Sequence, residues 1–203
     1  MPIKTTPTYT EHEVSRILRE SEEASISDQD RGEGHAEGLH ELLARGKNRA
    51  STDLDEMEQR IIGPERKRRT GAFVGTQAAA IAFALNKKAG QTALGWLSYE
   101  KCEFIFAQID IAAGNFAMIG YDGDVTTPAP GGARFVVAPG GVALTGFLVP
   151  IEARAGGIAM KLMKTSGKDL HIRTAFPLIA APNPQRANIR WRDGHNQDQD
   201  LPI

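Results

Sequence analysis

The feature that most constrains this chain is a change of hydrophobic period near residue 100. Before it, apolar residues recur every three or four positions; after it, they alternate or run together between Gly, Pro and Asp turns. The segments "CEFIFAQIDI", "NFAMIGY", "ARFVVA", "GVALTGFLVPI", "GIAMKLMKT" and "LHIRTAF" read as β-strands. Helices followed by a meander of strands imply an α+β fold with N-terminal helices and an antiparallel β-sheet. No fixed-period repeat interrupts this order.

The helical half divides by its caps and stops. Residues up to Tyr9 carry no periodicity. "TEHEVSRILRESEEAS" predicts a helix with Thr10 as N-cap and Glu13 completing a capping box, its narrow stripe being Val14, Ile17 and Leu18. So small a stripe must dock on something else. The polar stretch "SISDQDRGEG" is the best domain boundary, giving an acidic leader over 1–33, an α+β body over 34–190 and a polar tail over 191–203. Within the body, "HAEGLHELLARGKNRA" predicts a helix from about Ala36 to Arg45 with Leu39, Leu42 and Leu43 on one face. "STDLDEMEQRII" predicts another, burying Leu54, Met57 and Ile61. "TQAAAIAFALNKKAG" predicts an alanine-rich helix capped by Thr76 and ended at Gly90, followed by a shorter helix over "QTALGWLSYEK".

At 203 residues and 41% hydrophobic content, the chain supports one core of ordinary size plus an appendage. No apolar run reaches the roughly 18 residues that a membrane span needs. The opening residues also lack the apolar stretch of a secretory signal. The lone Cys102 excludes an internal disulfide and a Cys-based zinc cage, and is most simply an apolar filler. The net charge of −1 conceals an asymmetry: residues 1–63 carry 14 acidic and 8 basic side chains, whereas residues 64–190 carry 8 acidic and 15 basic. A basic body beside an acidic arm suits a polyanion-binding domain with a self-shielding or partner-facing segment; an acidic leader can equally be a solvated linker.

Five histidines are the first candidates for chemistry near neutral pH. His12 and His195 lie in polar surroundings. His35 and His40, five residues apart, point about 140° apart on an unbroken helix and cannot face one atom together. They do not form the i, i+4 pair of a helical zinc site, and no third ligand follows at a recognised spacing. The pairs "PGGA", "PGGV" and "AGGI" precede strands, so they suit hairpins and not phosphate loops. In "HIRTAFP", strict alternation places Ile172, Thr174 and Phe176 on one face and His171, Arg173 and Ala175 on the other, with Pro177 ending the strand.

The order "HELLARGK", Arg60 in "MEQRI", "TGAFVGTQAAAIAFAL", "GWL" at 95–97 and "TAFP" at 174–177 resembles the ribonuclease A-like C-terminal toxin domains of bacterial contact-dependent inhibition and related polymorphic toxins. The resemblance spans about residues 35–177. It implies a ribonuclease A-like topology and a metal-independent endoribonuclease without cofactor. By the same resemblance the protein is made in the bacterial cytoplasm, is exported without a cleaved signal, acts in the target-cell cytoplasm and is restrained by a cognate immunity protein. It further implies that a histidine (His40 or His35), Arg60, Thr174 and the position of Phe176 line the catalytic cleft. Two departures bear on it: the segment from His40 to Arg60 is longer than in the family, and Phe176 lacks the phenolic hydroxyl of the tyrosine that many members carry. RNA cleavage needs a base for the ribose 2′-OH, a donor for the leaving oxygen and cations around phosphorus. Lys47, Arg49, Arg66, Lys67, Arg68 and Arg69 are the candidates for holding the RNA backbone. The other reading is a non-catalytic binding or assembly protein that docks a partner through its acidic leader.

Overall fold

The computed structural model describes residues 1–4, 8–23, 40–42, 54–62, 69–124, 133–137, 144–165 and 167–203, with backbone only at 124, 133–137 and 144–148. The described residues form an α+β structure. Its helices are α1 (Glu11–Glu22), α2 (Leu54–Ile62), α3 (Gln77–Asn86) and α4 (Lys88–Ser98). The strands are β1 (Glu41–Leu42), β2 (Arg69–Val74), β3 (Cys102–Asp110), β4 (Ala117–Asp124), β5 (Ala133–Val137), β6 (Leu144–Arg154), β7 (Gly157–Lys164), β8 (Leu170–Leu178), β9 (Arg186–Trp191) and β10 (Asn196–Asp200). They make two five-stranded sheets, ordered β1-β2-β4-β6-β5 and β10-β9-β3-β7-β8. Among the described residues, every strand pairing is antiparallel except that of β1 with β2.

The second sheet supplies the core. Ile105, Ala107 and Ile109 on its central strand pair with Leu162, Met160 and Ile158 of β7. Ile105 and Ala107 also face Ile189 and Ala187 of β9, and all eight are buried. Against this face pack α1, through β8, and α4, through β3 and β7, with α3 between the two helices. Ala80, Ile81, Ala84 and Leu85 of α3 are all buried, and its many alanines let three helices approach one sheet closely. Cys102 is buried in the same cluster, and burial pushes its thiol up to about 11.

The expected leader helix is present with its capping box. Thr10 Oγ1 accepts from the Glu13 backbone N–H at 3.2 Å, and Glu13 Oε2 accepts from the Thr10 N–H at 2.9 Å. Val14, Ile17 and Leu18 are fully buried in the common core. Tyr9 clasps α3: its N–H donates to Asn86 Oδ1 at 2.7 Å and its carbonyl accepts from Asn86 Nδ2 at 2.8 Å. The helix therefore belongs to the same packed body as the strands. In the polar segment after residue 190, β10 folds back on β9 around Gly194, whose φ of 86° suits glycine.

Four local expectations are corrected. The helix expected over 36–45 does not run through Glu41 and Leu42, which instead form β1 beside Phe73 and Val74; its remaining positions, apart from His40, lie outside the described residues. Pairing with β2 and the Gly75 N–H donating to Leu42 O at 3.1 Å outweigh the helical preference of "HELL". Thr76 makes no side-chain cap to α3. The alanine-rich helix ends at Asn86, Lys87 adopts an extended conformation, and Gly90 lies inside α4. Gly90 is required by proximity: a β-carbon there would overlap Ala84 O and Leu85 Cα across the helix junction. Finally, Leu54 is exposed, whereas Met57 and Ile61 are buried as expected.

These contacts can be tested at two positions. Gly90→Ala, favoured by about 1 kcal/mol on helix propensity alone, is expected to lower the unfolding free energy by about 1–3 kcal/mol in urea titrations because the close approach leaves no room. Glu13 is held at about 2, well below its ordinary 4.5, by the Lys4 ammonium first and the Thr10 N–H second. Its folded value is the lower one, so its contribution is complete above about pH 4.5 and is lost as pH falls toward about 2. Urea titrations across that window are expected to show a shallower acid loss in Glu13→Gln than in the unsubstituted protein.

Candidate functional site

Strand β8 carries the residues that the motif "TAFP" singled out, but with a different facing. The pairing with β7 shifts register between Lys161, opposite Thr174, and Leu162, opposite Ile172. Arg173 is the extra residue of a β-bulge. Ile172 and Ala175, which strict alternation would separate, therefore both enter the core. Thr174 and Phe176 share the other face with His171, not with Ile172. Pro177 is buried within the strand opposite Ile158 and does not end it. A proline is tolerated there because β8 lies at the edge of its sheet.

Two helices cover that edge. Ser21 of α1 accepts from the Ile172 N–H at 3.0 Å, and Gln77 of α3 donates from Nε2 to Ala175 O at 2.9 Å. Gln77 is itself fixed by Glu41, whose Oε2 accepts from the Gln77 backbone N–H at 3.0 Å. Glu41, Gln77 and Ala175 are all buried. A carboxylate is thus placed on the first N–H of α3, where the helix dipole favours negative charge, in the position left open by Thr76.

This bracket sets His40, the residue before Glu41, against β8. The His40 ring lies 5.4 Å from the Phe176 ring, centroid to centroid, tilted by 44°. His40 Nδ1 is 3.1 Å from Gly71 O on β2. A carbonyl oxygen only accepts, so Nδ1 carries the hydrogen and, in the neutral ring, Nε2 is the basic nitrogen. A β-carbon at Gly71 would meet Pro177 Cγ at 3.6 Å, an ordinary contact that marks where β2 and β8 come together. Phe176 also lies 6.3 Å from Phe106 of β3, ring to ring.

Thr174 Oγ1, on the same face as Phe176, is shielded from solvent and has no hydrogen-bond partner among the described residues. Leaving a hydroxyl in that condition costs about 1–3 kcal/mol, which marks it as a place to look for a ligand contact. Across the strand pair stands Lys161. Desolvation lowers the pKa of its ammonium, and the neighbouring Arg173 lowers it further.

The structure thus sets His40 against Phe176, with Thr174 two positions along the strand on the same face as Phe176. Arg60 is buried on α2, as are Met57 and Ile61, and α2 packs on β2 and β4. That helix is tied to β2 where the Thr70 hydroxyl donates to Met57 O at 3.1 Å. Arg69 is exposed and donates from Nε to Asp122 Oδ2 at 2.6 Å. His35, Lys47, Arg49, Arg66, Lys67 and Arg68 lie outside the described residues. Sequence reasoning missed Glu41, Gln77 and Lys161. Only Gln77 carried a visible signal, as the one polar side chain in "QAAAIAFAL".

Among the described residues, no three His, Cys, Asp or Glu side chains converge as a metal site would require, and no helix is long and apolar enough to cross a membrane. Comparisons with protein-family models, with curated proteins and with solved structures return no match for this chain.

The bracket predicts a measurable coupling. Glu41→Ala is expected to lower the unfolding free energy by about 1–3 kcal/mol in urea, the cost of unpairing a buried donor, and to speed hydrogen exchange at the Gln77 amide. Unchanged exchange there would show that α3 is held by other contacts.

Proposed function

We propose that this protein is a metal-independent endoribonuclease whose site is built from His40, Thr174 and Arg60, and that it is a toxin restrained by an immunity protein. The observation that carries the reading is the meeting of His40 with the "TAFP" strand. The ring rests on Phe176, and the Thr174 hydroxyl, without a partner among the described residues, lies two positions away on the same face. The resemblance noted in the sequence selects the same residues, from segments far apart along the chain.

In this reading His40 Nε2 takes the proton of a ribose 2′-OH, oriented for it by the Nδ1 bond to Gly71 O. The 2′-oxygen attacks phosphorus, the bond to the 5′-oxygen breaks, and a 2′,3′-cyclic phosphate forms. Thr174 donates to a phosphoryl oxygen and Arg60 opposes the charge gathering around phosphorus. The leaving 5′-oxygen takes a proton from a second acid, for which the sequence offers His35. Phe176 cannot supply a phenolic proton and serves as the surface on which the His40 ring rests. The alternative reading, a non-catalytic protein that docks a partner through its acidic leader, would use the polar side of α1, since the helix's apolar stripe lies in its own core.

The test is cleavage of total RNA or tRNA by the purified chain in the presence of EDTA. Cleavage is expected to persist with EDTA, to fall by about 10²–10⁴-fold in His40→Ala and by about 10²–10³-fold in Thr174→Val, and to be largely retained in Thr174→Ser. Intact RNA with every protein sinks the nuclease reading, and cleavage abolished by EDTA points to a metal instead.

A further inference from the structure

The core face of the second sheet is covered by helices, but its other face carries an unusual set of side chains. The β3–β7 and β3–β9 registers place Phe104, Phe106 and Gln108 of the central strand on that face. Beside them lie Lys161 of β7, Thr174 and Phe176 of β8, and Arg186, Asn188 and Arg190 of β9. Phe104 and Phe106 are only half-buried, whereas Ile105, Ala107 and Ile109 between and beyond them are fully buried. Two adjacent aromatic rings on the outward face of a central strand contribute nothing to the helix-covered core. Cations stand to both sides: the Lys161 ammonium lies 4.0 Å over the Phe104 ring, and Arg190 pairs with Phe104 across the strands on the other side.

We infer that this face is a platform for single-stranded RNA, with bases stacking on Phe104 and Phe106 and phosphates meeting Lys161, Arg190 and Arg186. The inference rests on the ribonuclease reading and extends it, because Phe106 adjoins Phe176 and so leads the strand to His40 and Thr174. An antiparallel sheet with outward aromatics at i and i+2 suits unpaired bases, which present both ring faces; a duplex keeps its bases stacked inside. The stacking pair, rather than net charge, favours RNA over an apolar protein surface, because Asp198, Asp200 and Glu103 stand beside Lys161, Arg186 and Arg190. The present partners of the arginines are exchangeable: Arg186 meets Asp200 at 3.3 Å and Arg190 meets Glu103 at 3.7 Å, both pairs being open to solvent and of small net worth. Asp198 holds Asn188 at 2.8 Å, which keeps an amide ready on the same face. The ammonium over Phe104 is likewise one that a phosphate can draw aside, opening the ring to a base.

Fluorescence anisotropy with a labelled single-stranded 2′-O-methyl RNA oligonucleotide tests this on the full chain, since a probe without 2′-OH groups binds without being cut. Phe104→Leu and Phe106→Leu keep apolar volume but remove the ring, and thermal melting is expected to leave both folded. Each is expected to weaken binding by about 5- to 100-fold, and Lys161→Gln to flatten the dependence of log affinity on log salt by about 0.7. The wild-type chain is expected to prefer the single strand to a duplex of the same sequence. Wild-type affinity in both Leu variants, equal or tighter binding of the duplex, or no binding of the oligonucleotide at all overturns the platform; so does a face that captures only a protein. The two readings fail separately. A chain that binds the probe through both rings yet leaves RNA intact loses only the nuclease reading, and an active chain indifferent to both Leu substitutions loses only the platform.

Discussion

The arrangement of this protein depends on one buried polar bracket, from the Glu41 carboxylate to the Gln77 backbone N–H and from the Gln77 side chain to Ala175 O. Three chain segments far apart in sequence are joined by two hydrogen bonds inside an otherwise apolar region. Polar groups withdrawn from water are expensive to leave unpaired, so the bracket resists sliding of β1, α3 or β8 relative to one another. His40 precedes Glu41, while Thr174 and Phe176 flank Ala175. The candidate site is therefore positioned by residues that take no part in its chemistry.

The β-bulge at Arg173 is the second determinant. Without it, alternation would keep Ile172 on the side of Thr174 and turn Ala175 away from the helices. With it, Ile172, Ala175 and Pro177 are all buried on the core side, and Thr174 and Phe176 are released to the opposite face. That face is continuous with Lys161, Phe106 and Phe104 through the register of β7 and β3. One inserted residue thus aligns the site with the rest of the sheet surface.

Much of the fold was legible because its signals are local. The Thr10 and Glu13 capping box is read from a spacing of three residues, and the six segments from "CEFIFAQIDI" to "LHIRTAF" appear as strands with small changes at their ends. Strands β1, β2, β9 and β10 were not read from the sequence, and the first two share a cause. Strands β1 and β2 are short and sit in helical or charged surroundings, and each is held by a partner remote in sequence. The helix ends that local residues did not cap were capped from afar: Glu41 serves the start of α3, and Lys164 of β7 donates to Leu97 O and Tyr99 O at the end of α4. Sequence spacing could not reveal either.

From the sequence alone come the α+β order, the burial of Val14, Ile17 and Leu18, and the choice of His40, Arg60, Thr174 and Phe176 as residues to watch. Those rest on periodicity, capping and motif order, which are properties of neighbours along the chain. Only the tertiary structure decided that His40 lies on Phe176, that Thr174 turns away from Ile172, and that Phe104 and Phe106 share its face. Each of these is a matter of register and of long-range pairing: a shift of one residue in a strand exchanges its two faces, and no local pattern records such a shift.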